Sequence, residues 1–143
     1  MTIYIAGKFS ARYRLRPYKT VLEGFGHTVS SSWLDQPEDV GPASMPDDHT
    51  LAKSEAARDL YEVADCDIFL LDTIDESNTG GRDVELGYAL HAKKDIGIIG
   101  PLRNVFHTIC YHWATWEDMF NAIYQAGGQT ETGPLPTVSP SSN

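Results

Sequence analysis

The sequence predicts a single α/β domain whose sheet of four to five strands is mainly parallel and carries helices on both faces. Short apolar, β-branched runs such as Thr2–Ala6 alternate with longer amphipathic segments. Parallel neighbours require crossover connections, which the amphipathic segments supply. A length of 143 residues with 41% apolar content suits one compact core rather than two.

The elements of the first half follow from their residue types. Thr2–Ala6 ends at Gly7 and is typical of a buried strand that enters a tight loop. A helix is predicted over residues 12–25, with Ser10 as its N-cap and Gly26 as its stop. Residues 27–31 supply a second strand. Three prolines and a glycine within residues 34–48 predict an irregular loop, and a loop of that length is often functional.

The second half repeats the alternation. A helix is predicted over residues 50–64, and the strand over 67–72 lacks polar alternation, as expected for a central strand covered on both faces. A polar loop over 73–81 leads to a helix over 83–93 and a strand over 96–99. Thr115 and Asp118 resemble a capping box for a last helix that ends near Ala126. Residues 127–143 are rich in Gly, Pro, Ser and Thr and predict a flexible tail, so the domain is expected over 1–126.

Composition narrows the function. The 20 acidic residues outnumber the 11 basic ones, which disfavours a surface for polymeric nucleic acid and favours a small polar substrate. No apolar run reaches the roughly 18 to 20 residues of a membrane span, so a cytoplasmic protein without membrane contact is expected. Cys66 and Cys110 lack the close spacing of metal ligands, and we expect neither a metal nor a cofactor.

Two loops are the expected walls of one pocket, because ligands of such sheets gather beyond the carboxyl ends of the strands. They are residues 7–12 after the first strand and 72–82 after the third. In the second loop, Gly80 and Gly81 permit close backbone approach, and Glu85 follows in the first part of a helix. Glu85 has a purely structural alternative, since it would also complement the helix dipole, as would Asp83.

Three segments, in this order, resemble the nucleoside 2-deoxyribosyltransferase-like superfamily: IYIAG, RDLYEVADCDIFLL and GGRDVELGYAL. The superfamily includes nucleoside 2-deoxyribosyltransferases and 2′-deoxynucleoside 5′-monophosphate N-hydrolases, and the match spans roughly residues 2–123. The resemblance implies a Rossmann/flavodoxin-like fold, with Glu85 as the nucleophile, Asp59 as an acid near the base, and Tyr4 as an active-site tyrosine. It also implies that Asn104 is lent by a neighbouring subunit, and therefore a homodimer or a larger homo-oligomer.

The implied reaction is cleavage of the N-glycosidic bond of a 2′-deoxynucleoside through a deoxyribosyl-Glu85 intermediate, with transfer of the sugar to a free nucleobase. Glu85 would attack C1′, Asp59 would protonate or position the departing base, and Tyr4 would orient the nucleophile. One alternative is a 5′-monophosphate N-hydrolase with water as the acceptor, and another is a nucleotide-binding module without chemistry. Thr79 stands where some transferases carry an acid and some hydrolases a serine, so the subgroup stays open.

Cations near the first wall are candidates for a substrate phosphate. Lys8 and Arg12 lie in a basic cluster of an otherwise acidic protein, although a solvated helix face that balances nearby acids is the alternative. Arg82 is a further candidate that would otherwise pair with Asp72 or Asp83. Small or aromatic loop residues complete the expected substrate contacts: Gly7, Phe9, Thr79 and Gly81.

Several aromatic and sulfur-containing residues are expected to be structural. His107, Cys110 and His112 lie close together in sequence, but no further ligand accompanies them, which favours packing over a metal site. The tryptophans at 33, 113 and 116 are expected in the core or an interface rather than against a substrate.

Overall fold

Five parallel strands form the sheet in the computed structural model, which describes residues 1–36 and 49–125. The strands are Thr2–Ala6 (β1), Thr28–Val29 (β2), Ile68–Asp72 (β3), Asp95–Ile99 (β4) and Tyr111–Trp113 (β5). Their order is β2-β1-β3-β4-β5, and each neighbouring pair is parallel. This is the flavodoxin-like order. The predicted α/β fold class is confirmed.

The helices are Arg12–Gly24 (α1), Thr50–Asp65 (α2), Gly81–His91 (α3) and Trp116–Phe120 (α4). A π-helical turn, Asn121–Gln125, continues α4. Three 3₁₀ turns lie at Phe9–Ala11, Ser32–Asp35 and Val105–Ile109. No helix within the described residues has the length and apolar character needed to cross a membrane.

The helices cover both faces of the sheet because successive strand side chains point to opposite sides. Tyr4 of β1 bonds to a residue of α3, and α2 packs beside α3. A Cβ added at Gly7, which has the opposite parity, would lie 3.2 Å from Leu15 of α1. Tyr18 of α1 stacks on Trp116 of α4 with ring centroids 4.6 Å apart, so α1 and α4 share the second face.

The core centres on β3, in which all five residues are buried. The four apolar residues before Asp72 suit a strand with helices above and below it. Gly97 of β4 allows a close approach at the edge of this core, since a Cβ there would lie 2.9 Å from the ring of Trp113 and 3.0 Å from Leu70. The edge strand β5 therefore packs its tryptophan across β4 rather than away from it.

Some predicted boundaries are wrong. Ser10 does not cap α1, because the chain first makes a 3₁₀ turn and the N-cap is Ala11, without a side-chain bond. Helix α3 begins at Gly81 rather than at 83, since Gly80 has a φ of 81° that only glycine adopts readily and its carbonyl accepts the first helical bonds. Strand β2 keeps only two of the five predicted residues.

Other expectations have mixed outcomes. The Thr115 cap is confirmed, because its Oγ1 accepts a bond from the Asp118 amide at 3.0 Å. Strand β5 was not predicted as an element. Most of the loop predicted over 34–48, namely residues 37–48, and the whole of the tail predicted over 127–143 lie outside the described residues.

Candidate active site

A cavity of about 480 Å³ opens at the carboxyl ends of β1 and β3. The strand that follows β1 lies on one side of this pair and the strand that follows β3 on the other, which is where sheets of this order bind ligands. The walls are the loop after β1, the loop after β3 with the start of α3, and one face of α2. The pocket is thus formed by the two loops that the sequence singled out, with α2 added.

Glu85 lies in this cavity and is held by Tyr4. The Tyr4 hydroxyl donates to Oε2 of Glu85 at 2.7 Å. The ring of Tyr4 is fully buried in β1 and stacks on Phe69 of β3, with centroids 5.7 Å apart. Because the ring is buried and stacked, one carboxylate oxygen of Glu85 has a fixed partner. Glu85 is therefore oriented before any ligand enters.

The electrostatics of Glu85 favour its protonated form. Burial raises its pKa to about 7, and the negative charges of Asp59 and Glu62 act in the same direction, while the bond from Tyr4 opposes them. Burial, followed by the charge of Glu85, also raises the pKa of Tyr4 above its ordinary value. Tyr4 therefore stays a neutral hydrogen-bond donor at all physiological pH values.

Asp59 of α2 is the second acid of the cavity. Its side chain is 25% exposed and one oxygen accepts a bond from Arg58 at 3.3 Å. Burial raises the pKa of Asp59, Arg58 lowers it, and Glu62 and Glu55 raise it further. Two carboxyl groups that both tend to keep a proton thus line one pocket, a combination that allows one to act as a base or nucleophile and the other as an acid.

We compared the chain with known proteins by sequence and by structure. No protein-family model matches the chain, and no curated protein matches it significantly. The structure superposes on a 2-deoxyribosyltransferase of the psychrotolerant bacterium Bacillus psychrosaccharolyticus with a TM-score of 0.68 and 22% identity, over 95% of this chain and 100% of that one. It also superposes on the CMP N-glycosidase BcmB of Clostridium botulinum with a TM-score of 0.54 and 16% identity, over 79% and 86%.

The chain shares the fold of these two structures. Within this fold, the structure brings together most of the residues that the sequence predicted for the site. Tyr4 does not line the cavity itself, but its hydroxyl bonds to Glu85, which does. The predicted residues that line the cavity itself are Gly7, Phe9, Asp59, Thr79, Gly81, Arg82 and Glu85.

The two arginines predicted to contact substrate brace the walls of the pocket. Arg12 is 3% exposed and donates to the carbonyls of Phe9 at 2.7 Å and Gln36 at 3.0 Å. Arg82 is 7% exposed and donates to the carbonyls of Asp72 at 3.2 Å and Asp75 at 2.8 Å, rather than to a carboxylate. These bonds connect α1 to the loop near Gln36, and α3 to the loop after β3.

Lys8 and Asn104 lie outside the main cavity. Lys8 is exposed and lines a second cavity of about 570 Å³, together with Arg103 and Ser77. Ser77 lines both cavities, so the second one adjoins the first. Asn104 is exposed, and its Oδ1 accepts a bond from the Phe106 amide at 2.9 Å.

The sequence reasoning predicted Asp59 but missed the rest of the wall that α2 forms. Ala52, Glu55 and Ala56 lie on the same face of α2 as Asp59, and the spacing i, i+4 from Glu55 to Asp59 was the signal that would have found them. Trp33 is buried, as expected, with its Nε1 donating to the Ile5 carbonyl at 2.8 Å, but its ring also forms part of the wall.

The other residues expected to be structural are mostly buried. Trp116 is fully buried, and His107 and Cys110 are nearly so. His107 accepts a bond from the Arg103 amide at 3.0 Å, whereas His112 is exposed and contacts the Gly100 carbonyl at 2.8 Å.

Proposed function

We propose that this protein is an enzyme that cleaves the N-glycosidic bond of 2′-deoxynucleosides through a deoxyribosyl intermediate on Glu85 and transfers the sugar to another nucleobase. The bond from Tyr4 to Glu85 carries the proposal. It engages Oε2, and Oε1 has no hydrogen-bond partner among the described residues. The names of the two structural relatives support N-glycosidic chemistry on a nucleoside or nucleotide.

The reaction has two steps that balance. In the first, Oε1 of Glu85 attacks C1′, the bond from C1′ to the base nitrogen breaks, and its electron pair leaves with the base, which takes a proton from Asp59. In the second, a nitrogen of the incoming base attacks C1′, the ester bond to Glu85 breaks, and Asp59 recovers a proton. Two inversions give net retention at C1′. The absence of a 2′-hydroxyl makes the oxocarbenium-like centre easier to form.

The two carboxyl groups must share one proton for this chemistry. Glu85 attacks as a carboxylate, while Asp59 needs a proton to give to the leaving base. Burial raises the pKa of both groups, and the charge of Asp59 raises the pKa of Glu85 further, to about 7, so the pair holds one proton just below that pH. The form with that proton on Asp59 is the reactive one, and kcat/KM declines as the pH rises through about 7.

A 5′-monophosphate N-hydrolase is the second candidate, and the second cavity is the observation that favours it. Lys8 and Arg103 line that cavity and supply two cations beside Ser77, which also lines the main pocket. Glu76 lines it as well and pairs with Arg103 at 3.7 Å, with its own side chain 90% exposed, so Lys8 is the better candidate for a phosphate. A substrate phosphate would find charge-assisted donors there. In this variant of the reaction, water rather than a base attacks C1′ of the intermediate.

A neighbouring copy of the chain is proposed to complete the site with Asn104, in a homodimer or a larger homo-oligomer. Apolar side chains next to Asn104 are unusually exposed, with Val105 71%, Phe106 61% and Ile109 59% accessible. Such a cluster is typical of a surface that another chain covers.

The test is product analysis by chromatography. Deoxynucleosides and their 5′-monophosphates are each incubated with and without a second free base, using the wild type, Glu85→Ala and Glu23→Gln. We expect a new nucleoside, and a loss of at least about 10³-fold in Glu85→Ala, because the nucleophile is gone. Glu23 is exposed on α1 and is the matched control that keeps full activity.

Three other outcomes overturn or redirect the proposal. Free deoxyribose from nucleosides, without exchange, establishes a hydrolase of nucleosides. Free deoxyribose phosphate, formed only from the monophosphates, establishes the second candidate. Binding without any Glu85-dependent turnover establishes a nucleotide-binding module instead of an enzyme.

A further inference from the structure

The pocket contains a third acid that the reaction does not use. Glu55 lies one helical turn before Asp59 on α2 and lines the same cavity. Glu55 is only 6% exposed, whereas the side chain of Asp59 is 25% exposed. An acid this well buried is normally paired or fully hydrogen-bonded.

The hydrogen bonding of Glu55 is incomplete. Nε2 of Gln36 donates to Oε1 of Glu55 at 3.1 Å. Among the described residues, no donor bonds to the other oxygen, Oε2, and no cation forms an ion pair with the carboxylate. Oε2 is therefore an unfilled acceptor that remains accessible, and a ligand that brings donors into the cavity would satisfy it.

The main chain of Gln36 is held in place, which positions its side chain beside Glu55. The main-chain carbonyl of Gln36 accepts bonds from Arg12 at 3.0 Å and from Arg16 at 3.0 Å. One hydrogen of the Gln36 amide group goes to Glu55, which leaves the second hydrogen as a donor beside the acceptor oxygens of Glu55. Glu55 and Gln36 thus present an acceptor next to a donor, which we call the reading pair.

An aromatic wall accompanies the reading pair in the same cavity. Phe9 and Trp33 stack with centroids 6.1 Å apart, and Arg12 lies 3.8 Å above the ring of Phe9. Both rings line the pocket. Flat aromatic surfaces bind the faces of bases without distinguishing them, so identity has to be read at an edge.

We propose that Glu55, with Gln36, selects bases that carry an amino group at purine C6 or pyrimidine C4 beside an unprotonated ring nitrogen, which are adenine and cytosine. The amino group donates to Glu55, and the ring nitrogen accepts from Gln36. Guanine, hypoxanthine, thymine and uracil present the reverse pattern, a carbonyl beside an N–H. Their carbonyl would face the carboxylate, and their N–H would face the amide donor. The inference rests on the proposed function and adds the class of base.

Matched substrate pairs test the selection without any mutation. Deoxyadenosine and deoxyinosine differ only in an amino group replaced by a carbonyl with its ring proton, and deoxycytidine and deoxyuridine differ in the same way. We expect kcat/KM to favour the amino member of each pair by roughly 10- to 100-fold, the range of one well-placed two-bond contact to a base edge. Equal rates within both pairs, or preference for the carbonyl members, overturn the inference.

Substitutions test whether the reading pair is responsible. Glu55→Gln removes the obligate acceptor, and the amino preference falls by at least about tenfold in both substrate pairs. Gln36→Met removes the donor at similar length and lowers the same preference, which keeps the test decisive should Glu55→Gln fail to fold. Glu23→Gln leaves the preference unchanged. An unchanged preference in both pocket variants assigns the reading to other residues and overturns the inference.

Failure of the inference is distinguishable from failure of the proposed function. If the wild type exchanges bases in a Glu85-dependent manner but treats both members of each pair alike, only the inference is wrong. If neither the deoxynucleosides nor their 5′-monophosphates give Glu85-dependent product, both are wrong.

Discussion

Asp72 and Glu85 are two acids at the same end of the sheet, and their surroundings differ completely. Asp72 ends β3, is 1% exposed, and accepts two bonds from Arg14 at 3.0 and 2.8 Å and one from the Trp116 indole at 2.7 Å. Its Oδ1 also accepts from the Ile74 amide at 3.1 Å. Glu85 has a single donor, Tyr4, and is next to further acids.

The difference separates an acid that joins structural elements from the acid that we propose as the nucleophile. Both oxygens of the Asp72 carboxylate accept hydrogen bonds, and the carboxylate raises the pKa of Arg14. These bonds connect α1, α4 and the loop after β3. Glu85 keeps an oxygen free in a cavity and has a pKa raised to about 7. Burial alone does not mark a functional acid; burial without enough partners does.

Removing the charge of Asp72 should have the largest effect on stability. Asp72→Asn weakens the paired bonds from Arg14 and is expected to cost roughly 2–4 kcal/mol of unfolding free energy. This lies near the lower range for breaking a buried pair, because Arg14 is one-third exposed. Urea denaturation measures the loss. Asp35→Asn, which breaks the exposed pair with Lys19, is the control and should cost less than about 1 kcal/mol. Equal costs would mean that the Asp72 network is not structural.

Removing the Tyr4 hydroxyl should slow the chemistry without abolishing it. Tyr4→Phe is expected to lower kcat/KM roughly 10- to 100-fold, the range for losing a bond to a charged group. Because the Tyr4 bond lowers the pKa of Glu85, its loss moves the high-pH decline of kcat/KM above about 7. A pH profile of base exchange checks both effects. A slower enzyme with an unshifted decline would mean that Tyr4 only packs.

Neutralising Glu85 should stabilise the protein, in contrast to Asp72. The folded-state pKa of Glu85 is about 7 against an ordinary 4.5, so its ionisation destabilises the folded state progressively between those pH values. Glu85→Gln is therefore expected to gain about 1–2 kcal/mol at pH 8, less than the full shift implies because the group is partly exposed. Denaturation at pH 8 and pH 4 measures the gain, which should vanish at pH 4. Destabilisation at pH 8 would refute the comparison.

Local pattern predicted much of this molecule. The apolar runs of β1, β3 and β4 were recognisable because central parallel strands are buried on both faces. The edge strand β5 has three residues including a polar His112, which gives no periodic signal. The false Ser10 cap has a related cause, since the three-residue 3₁₀ turn at Phe9–Ala11 that displaces it is too short to give a periodic signal.

The candidate site was predictable to a similar degree. The motifs that contain Tyr4, Asp59 and Glu85 occur in a recognisable order along the chain. The hydrogen-bond partners of Arg12 and Arg82 could not be predicted from the sequence. Their buried guanidinium groups bind main-chain carbonyls that come near only when the loops fold. Glu55 shows what single-sequence reasoning loses, since its missing partner is visible only in three dimensions.

Intact-protein mass spectrometry tests the central claim most directly. Wild type, Glu85→Gln and Glu23→Gln are mixed with a deoxynucleoside in the absence of an acceptor base and quenched rapidly in acid. The account predicts a mass increase of one deoxyribosyl group on the wild type and on Glu23→Gln, mapped to the peptide that contains Glu85 and discharged by adding a free base. A wild type that releases base with no adduct, or an adduct that persists in Glu85→Gln, would contradict it.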